Sequence, residues 1–530
     1  MSKDKVGSNQ PPLFFAYDLG TDGLTGQVRG LDGALLAEAS ADYGYGSELV
    51  APNMPEGVMV QNPCRWENAM REVNKILNQK LSDLGLSREN AYVGLVGQMH
   101  GLVWSNCEAA PLWCDDRNAD VAQRLTQAFG VKMAQRFTVS RLPEAWEHGG
   151  FSDYIRNGIF TPGGYIFNKA CLKNAIGVGE ASGMFPIEDD GAGFCSWMMQ
   201  KFDRMYREMP NDMPSLSSIL PSVHQAGEFI GQISFLGTET FGLPFGAKVI
   251  PFEGDQQGAL AGSLIGRPGE GALSLGTSFV LNVLSDRPFS GISPAIDPFK
   301  TADGKNFLMI WIKNGGRYLK MMIAHYCDAR GDANTDVTFA ALMSRVEAMA
   351  KEYPDCRGLL GLPFLINEPG AGFDEKGISL LFGLNPQNDK AAHLLHLALL
   401  LPLFGIRNGM DELEAKDIVP KRLVLTGGIM HSKSYAGPTI ANVCNREVFI
   451  PDVATEGTCY GAYVLTLFAY RKQTEPDLTL PDLLDELAVG RQGQTYCPDP
   501  KLVEVYNAMC QKFNALKDVG RQILADPRLK

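Results

Sequence analysis

Apolar and polar positions follow two periods along the chain, and the polar residues of interest stand where a strand pattern stops. Val249-Ile250-Pro251-Phe252 is a continuous apolar run that predicts a buried strand, and it ends in Glu253-Gly254-Asp255-Gln256-Gln257. Gly271 to Leu284 reads as two short strands folded about Gly276-Thr277-Ser278. A similar bend lies near the start. Residues 17–28 read YDLGTDGLTGQV and residues 273–283 read LSLGTSFVLNV, so Leu-Gly-Thr sits at a turn between β-favouring flanks twice, about half the chain apart. Self-similarity at that spacing predicts a duplicated domain. Tyr92 to Val96 predicts a further buried strand, ending in Gly97-Gln98-Met99-His100-Gly101, and Arg422 to Thr426 predicts another, running into Gly427-Gly428.

Helical spacing is clearest over 64–82, where Trp66, Met70, Val73 and Leu77 share a face, and over 190–209 through Phe194, Met198, Phe202, Met205 and Met209. Both stripes predict core packing. Asn314-Gly315-Gly316-Arg317 is a turn that opens a helix, and Asn385-Pro386 starts a long apolar helix reaching about Ala415, interrupted near Pro402. Gly361 to Phe373 reads as loop, Pro451 to Gly461 as a loop before a helix of small residues, and 141–190 as insertions rich in Gly and aromatics. The last 40 or so residues read as peripheral helices, and residues 1–12 as a disordered leader.

Composition narrows the class. A chain of 530 residues is too long for one core. Its 45% hydrophobic and 20% charged content is that of a soluble globular protein. A net charge of −12 argues against a general binder of nucleic acid or anionic membrane. The 11 cysteines, an odd number without a C-x-x-C pair, fit a reduced intracellular setting, with Cys444 and Cys459 as small core residues. The N-terminus has no signal-peptide pattern, and the apolar run Leu394 to Ile406 is too short to span a bilayer, so a cytoplasmic protein is expected. Seven histidines form no ligand-spaced cluster.

The chemistry follows from what lies at the strand ends. Asp255 is a carboxylate just past a buried strand, and Gly-Thr and Gly-Thr-Ser turns let backbone and hydroxyls approach phosphates. Asp18 stands two residues before Gly20, where it either orients waters on Mg²⁺ or supports the turn. The cluster Gln98, Met99, His100 suits a small polar ligand, and Trp113-Cys114-Asp115-Asp116-Arg117 offers hydrogen-bonding groups beside a ring. The latter segment equally fits a helix start capped by Asp115 or Asp116. There is no P-loop, no dinucleotide fingerprint and no nucleophile elbow.

Taken in order, these motifs resemble the FGGY carbohydrate kinases. Asp18-Leu19-Gly20-Thr21 looks like the first phosphate motif and Gly254-Asp255-Gln256-Gln257 like the catalytic-base motif. Ser274-Leu275-Gly276-Thr277-Ser278 looks like the second phosphate motif, and Thr426-Gly427-Gly428 like the adenosine motif. Gly97 to Gly101 and Trp113 to Arg117 are most similar to xylulokinases. The resemblance implies an α/β, two-domain duplicated actin/Hsp70/sugar-kinase (RNase H-like) fold with an ATP cleft between the lobes. The expected divisions are a sugar-binding domain over 13–259, a nucleotide-binding domain over 260–485, and peripheral helices over 486–530. ATP and Mg²⁺ are the implied cofactors, with Asp18 on the metal. A small sugar is the implied substrate, D-xylulose first, held by Gln98, Met99, His100, Asp115, Arg117 and Gln256. Gly20, Thr21, Gly276, Thr277, Gly427 and Gly428 would meet ATP, and Asp255 would deprotonate the attacking hydroxyl. An Asp with an ordinary pKa, about 4, is ionised at pH 7 and a positioned base contributes roughly 10²–10⁴-fold. No nucleic-acid or membrane partner is expected, and a homodimer is one candidate assembly.

The chain departs from the family pattern in three places. Many members carry Lys or Arg where this chain has Thr25, and a frequent Ser is replaced by Asp22. Arg29 and Lys313 are the candidates to supply the missing charge. Gln257 stands where xylulokinases usually have a small residue. The alternatives are therefore a kinase for sedoheptulose or another ketose or polyol, and a catalytically impaired sugar- or nucleotide-binding homologue.

Overall fold

The computed structural model describes residues 11–44, 57–148, 152–207, 213–330, 335–427, 433–452 and 457–529. The expected leader lies outside these residues except for Pro11 and Pro12. The apolar segment LFFAYDL forms β1 (Leu13–Leu19), buried from Leu13 through Tyr17. A strand apolar on both faces belongs inside a sheet covered on both sides. β2 (Gly23–Arg29) returns antiparallel to it and β3 (Leu35–Asp42) follows. Helix α1 (Pro63–Asp83) starts where the Asn62 side chain accepts the Cys64 N–H and Pro63 takes the first helical position. It buries the predicted face, Trp66, Met70, Val73 and Leu77, each large apolar group contributing ~1.5–3 kcal/mol. Gly26 of β2 makes room, since a Cβ there would stand 2.6 Å from Val73 Cγ1.

β4 (Ala91–Gly97) runs parallel to β1. β5 (Gly231–Gln232), β6 (Lys248–Val249) and β7 (Glu253–Gly254) complete a seven-stranded sheet ordered β3-β2-β1-β4-β6-β5, with β7 also paired to β4. β1, β4 and β7 point the same way and end together, Gly97 lying opposite Leu19 on one side and Gly254 on the other. Ligands of open α/β sheets sit beyond the carboxyl ends of the strands. Here those ends deliver Gly20, Gln98 and Asp255, the last opening α2 (Asp255–Gly262).

A second sheet repeats the plan. β8 (Glu270–Leu275) and β9 (Phe279–Ser285) form the predicted hairpin, with Leu275 opposite Phe279. β10 (Ile296–Lys300) and β11 (Asn306–Ile312) follow, then α3 (Gly316–Arg330), α4 (Ala391–Glu414), β12 (Arg422–Thr426) and β13 (Glu447–Pro451). As β4 does beside β1, β12 lies parallel beside the hairpin strand β8. The chain next forms α5 (Gly457–Lys472), then β14 (Gly493–Tyr496) and α6 (Pro500–Ala525). The strand order is β10-β11-β9-β8-β12-β13-β14.

The chain divides into two compact units. Unit 1 takes Met1–Gly266, Phe299–Asn306 and Thr455–Val489; unit 2 takes Arg267–Pro298, Phe307–Ala454 and Gly490–Lys530. A single boundary near residue 260 is the simpler expectation, and the return of α5 to unit 1 has a packing cause. α5 crosses α2 and β4 at glycines. A Cβ on Gly461 would stand 1.8 Å from Gly258 O, and one on Gly94 would stand 2.1 Å from Thr466 Oγ1. Phe14, Val96, Tyr463 and Leu467 join one core there.

Several local expectations change. The 141–190 stretch is largely helical, through Thr138–His148, Ser152–Ile155, Pro162–Cys171 and Val178–Met184. The helix expected over 190–209 is Ser196–Met205; it buries Met198 and Phe202, while Met205 is exposed and Met209 lies outside the described residues. Gly361 to Phe373 includes part of a strand, Leu360–Pro363, paired with Ser379–Phe382. α4 starts at Ala391 and runs through Pro402. It is the one helix among the described residues long and apolar enough to cross a membrane, yet Leu395 through Phe404 fill the unit 2 core. α6 is no peripheral helix either, because Tyr506, Met509, Cys510 and Phe513 belong to that core.

Candidate active site

Four acids gather at the carboxyl end of the first sheet. Val96 of β4 lies opposite Asp18 on one side and Glu253 on the other. Asp255 follows β7 directly. Glu180 belongs to the short helix Val178–Met184, whose first turn is held by Glu253: Glu180 N–H donates to Oε2 at 2.9 Å and Gly179 N–H to Oε1 at 3.3 Å. Burial pushes the Asp255 carboxyl up to about 6, against the pull of hydrogen bonds from Gln256. Burial, then the charge of Asp255, pushes Asp18 up to about 7, while a hydrogen bond with Thr458 works the other way. Burial carries Glu253 to about 8 and Glu180 well above the usual carboxylate range. Asp255 therefore remains mostly ionised at pH 7, on a pKa higher than an exposed Asp would have.

The same end of the sheet holds unsatisfied acceptors. Asp18 Oδ1, Gln98 Oε1, Glu180 Oε2 and Gln257 Oε1 are buried with no hydrogen-bond partner among the described residues. Two of them converge on Gly254. A Cβ there would stand 2.3 Å from Gln257 Oε1, 2.6 Å from Met99 Cγ and 2.8 Å from Glu180 Oε2, so only glycine fits. A buried acceptor without a donor is costly. A ligand bringing several hydroxyl donors is the complement of this set.

The loop after β4 is built to hold still. His100 has a positive φ of 67°. Its Nδ1 pairs with Gly183 O at 2.9 Å, and Arg136 Nε–H donates to its Nε2 at 3.2 Å. Nε2 must then be the acceptor, leaving the ring proton on Nδ1 for Gly183 O. Phe137 stacks on the ring with centroids 5.5 Å apart. Gln98 Nε2 donates to Gln61 Oε1 at 3.4 Å, which also accepts Trp66 Nε1–H, and Gln61 Nε2–H donates to Thr21 O at 2.7 Å. One hydrogen-bond chain thus joins this loop to the first Gly-Thr turn. Gly20 closes that turn by donating to Gly23 O at 2.9 Å, and Trp113 Nε1–H donates to Thr21 Oγ1 at 3.2 Å.

In unit 2, the Gly276 turn is gripped by the start of α3. Gly316 N–H donates to Gly276 O at 3.1 Å and Arg317 N–H to Thr277 O at 3.2 Å. Gly315 and Gly316 both need to be small, since a Cβ on Gly315 would stand 2.4 Å from Phe279 N and one on Gly316 2.3 Å from Gly276 O. Lys320 Nζ donates to Thr277 Oγ1 at 3.0 Å. Gly427 ends β12 with φ of 108°, where a Cβ would stand 2.6 Å from Leu275 O. Gly428 lies outside the described residues.

A family model described as the FGGY family of carbohydrate kinases, C-terminal domain, matches residues 271–470. The chain is 23% identical over 457 residues to the xylulose kinase of Haemophilus influenzae, covering 82% of this chain and 86% of that protein. The chain is similar to the FGGY carbohydrate kinases over most of its length. It is accordingly a phosphotransferase with an alcohol group as acceptor. Among solved structures, xylulose kinase from Rhodospirillum rubrum superposes with a TM-score of 0.78 at 18% identity, over 97% of this chain and all of that one. Gluconate kinase from Lactobacillus acidophilus reaches 0.75 at 18%, over 96% of this chain and 99% of that one. These likenesses carry the two-domain sugar-kinase fold and leave the sugar open.

Against this FGGY kinase framework, the expected residues sort into two groups. Asp18, Gln98, Met99, His100, Asp255 and Gln256 come together at one sheet end, Gln256 Nε2–H reaching Asp255 Oδ1 at 3.3 Å. Asp115 and Arg117 are engaged with each other at 2.9 Å, with Asp115 also accepting Met59 N–H and Arg117 reaching Glu144. Asp115 caps no helix, the N-cap position of Ala119–Phe129 falling to Asn118. The missing charge at the first turn is not made up by Arg29, which is buried on Gln27 and Gly33 O with its guanidinium 4.8 Å from the Tyr460 ring. The Lys313 ammonium is bonded to Asn367 at 2.7 Å. Sequence reading missed Glu180, Arg136 and Lys320. The signal for Glu180 was present: one acid within Gly179-Glu180-Ala181-Ser182-Gly183, between apolar flanks, is an acid placed among small residues to be buried.

Proposed function

We propose that this chain is an ATP-dependent ketose kinase that transfers the γ-phosphoryl group to a terminal hydroxyl of its sugar, with D-xylulose the first substrate. The observation that carries this reading is the set of four buried, unpartnered acceptors beside Asp255. A ketose supplies hydroxyl donors for them and covers Met99 with its carbon face. Names among the relatives support xylulose, while the gluconate kinase neighbour warns that the fold accepts other sugars.

In this reading Gln98, Met99, His100, Glu180 and Gln256 surround the sugar, and Asp115 with Arg117 buttresses the segment beside it. Asp255 takes the proton of the terminal hydroxyl as that oxygen bonds to the γ-phosphorus; the bond to the β-γ bridging oxygen breaks and ADP leaves. Gly20, Thr21, Gly276, Thr277, Gly427 and Gly428 meet the nucleotide. The unpartnered Asp18 Oδ1 fits a group that holds waters of hydrated Mg²⁺, which would offset phosphate charge. In the proposed setting the protein is cytoplasmic.

A coupled ADP-release assay with MgATP tests the proposal against D-xylulose, L-xylulose, D- and L-ribulose, sedoheptulose, glycerol and erythritol. The expected result is the highest kcat/KM for D-xylulose. Highest turnover on sedoheptulose or a polyol would move the substrate, and ATP turnover unaffected by every sugar would overturn the kinase reading.

A further inference from the structure

Unit 2 holds a cavity of about 190 Å³ between α4, α6 and the end of β11. Leu401, Gly405, Asn408 and Glu412 reach it at helical spacing along one face of α4, and Phe513 and Lys517 reach it one turn apart on α6. Ile312 and Phe364 complete an apolar wall with Leu401 and Phe513. An apolar cavity with a few placed polar groups is the usual form of a small-molecule site.

The polar groups on its wall divide into satisfied and unsatisfied. Glu368 accepts the backbone N–H of Lys313 at 3.0 Å and that of Asn314 at 2.9 Å, and the Asn314 side-chain amide adds a third donor at 2.9 Å. Asn408 and Asn514 exchange amide hydrogen bonds at 2.8 and 2.9 Å. Two charges are left over. Glu412 accepts the Ser293 hydroxyl at 3.0 Å and has no cation partner among the described residues. Lys517 has neither a carboxylate nor a hydrogen-bond partner among the described residues, its Nζ standing 5.5 Å from the centre of the Phe513 ring. Burial, then the neighbouring Arg521, draws the Lys517 pKa down, with Cys510 and Asp518 acting the other way. Both charges are half-buried, where an unpaired charge is costly. They line one cavity and form no ion pair with each other.

We propose that this cavity binds a small zwitterion, an α-amino acid with a short branched apolar side chain, its carboxylate on Lys517 and its ammonium on Glu412. A cavity of roughly 150 Å³ takes a benzene ring, so about eight non-hydrogen atoms fit here, the size of valine. The side chain rests on Leu401, Phe364 and Phe513. A plain carboxylate would leave Glu412 unpaired and a plain amine would leave Lys517 unpaired, so both poles are needed. The site stands apart from the kinase reading, since binding needs no turnover.

The test titrates the full chain with L-valine by calorimetry, beside isovalerate, which lacks the ammonium, and isobutylamine, which lacks the carboxylate. L-valine is expected to bind once per chain, and each control at least about tenfold more weakly, as loss of a charge-assisted hydrogen bond would give. Lys517→Met and Glu412→Gln should each weaken L-valine by a similar factor. Lys517→Met should also melt no lower than the unaltered protein, because it removes an unpaired, half-buried charge. Absence of both heat and thermal shift with L-valine would overturn the proposal. So would isovalerate or isobutylamine binding as tightly as L-valine, a result that needs no variant to fold, and so would unchanged L-valine affinity in both variants.

Discussion

The two Gly-Thr turns share a backbone plan and differ in charge. In each, a hairpin strand lies beside a parallel strand, β1 with β4 and β8 with β12. In each, a nitrogen fills the acceptor side of the threonine hydroxyl, leaving its proton free to donate. At Thr21 the nitrogen is the neutral indole of Trp113, at 3.2 Å; at Thr277 it is the ammonium of Lys320, at 3.0 Å. Around the first turn stand Asp18 and Asp22, with Asp255 close enough to raise the Asp18 pKa. Around the second stand the N-terminus of α3 and two basic side chains. Duplication supplied two similar turns, and the side chains have divided the labour. The first keeps company with buried acids, which in the proposed function act on the sugar hydroxyl, and the second with cations suited to phosphate.

Two substitutions probe that division. The larger effect is expected at Gly316→Ala, whose Cβ would meet Gly276 O at 2.3 Å and push α3 off the turn. Overpacking of this kind costs about 1–3 kcal/mol, so KM for ATP should rise roughly tenfold or more while KM for the sugar changes little. Equal change in both constants would mean that the second turn is not specialised for nucleotide. The smaller effect is expected at Asp22→Ser. Asp22 is an exposed charge beside the first turn, and its removal should improve ATP affinity by only about two- to fivefold, the scale of exposed charge interactions. The improvement should fade as salt is added. A salt-independent change would assign Asp22 a role other than its charge.

What sequence made legible was the backbone plan. Both hairpins, the strands at 92–96 and 422–426, and the α1 face depend on short apolar patterns and turn residues, which are local properties. What it left hidden depends on packing between distant segments. Gly258, Gly461 and Gly94 look like unremarked small residues until α2, α5 and β4 are seen to meet at them, and that meeting moves α5 into unit 1. Gly254 is part of a motif, but its lack of a side chain matters because Gln257, Met99 and Glu180 converge there from three segments. Arg29 shows the converse error. A nearby cation seemed available by sequence distance, and the fold buries it on Tyr460 and Gln27. Asp255 was expected to have an ordinary pKa, and burial raises it.

The measurement that tests the account most directly is sugar-dependent ADP release by Asp255→Asn beside the unaltered protein, with MgATP binding and thermal midpoint recorded for both. The account predicts a loss of roughly 10²–10⁴-fold in kcat with MgATP affinity retained. It also fixes the sign of the stability change. A carboxyl whose pKa rises to about 6 on folding favours the fold fully below its unfolded value, near 4, and loses that contribution as pH climbs through 6. At pH 8 the ionised Asp255 opposes folding, so the uncharged Asn should melt at or above the unaltered protein. An Asp255→Asn protein that is folded, binds MgATP and phosphorylates the sugar at an undiminished rate would contradict the assignment of the base.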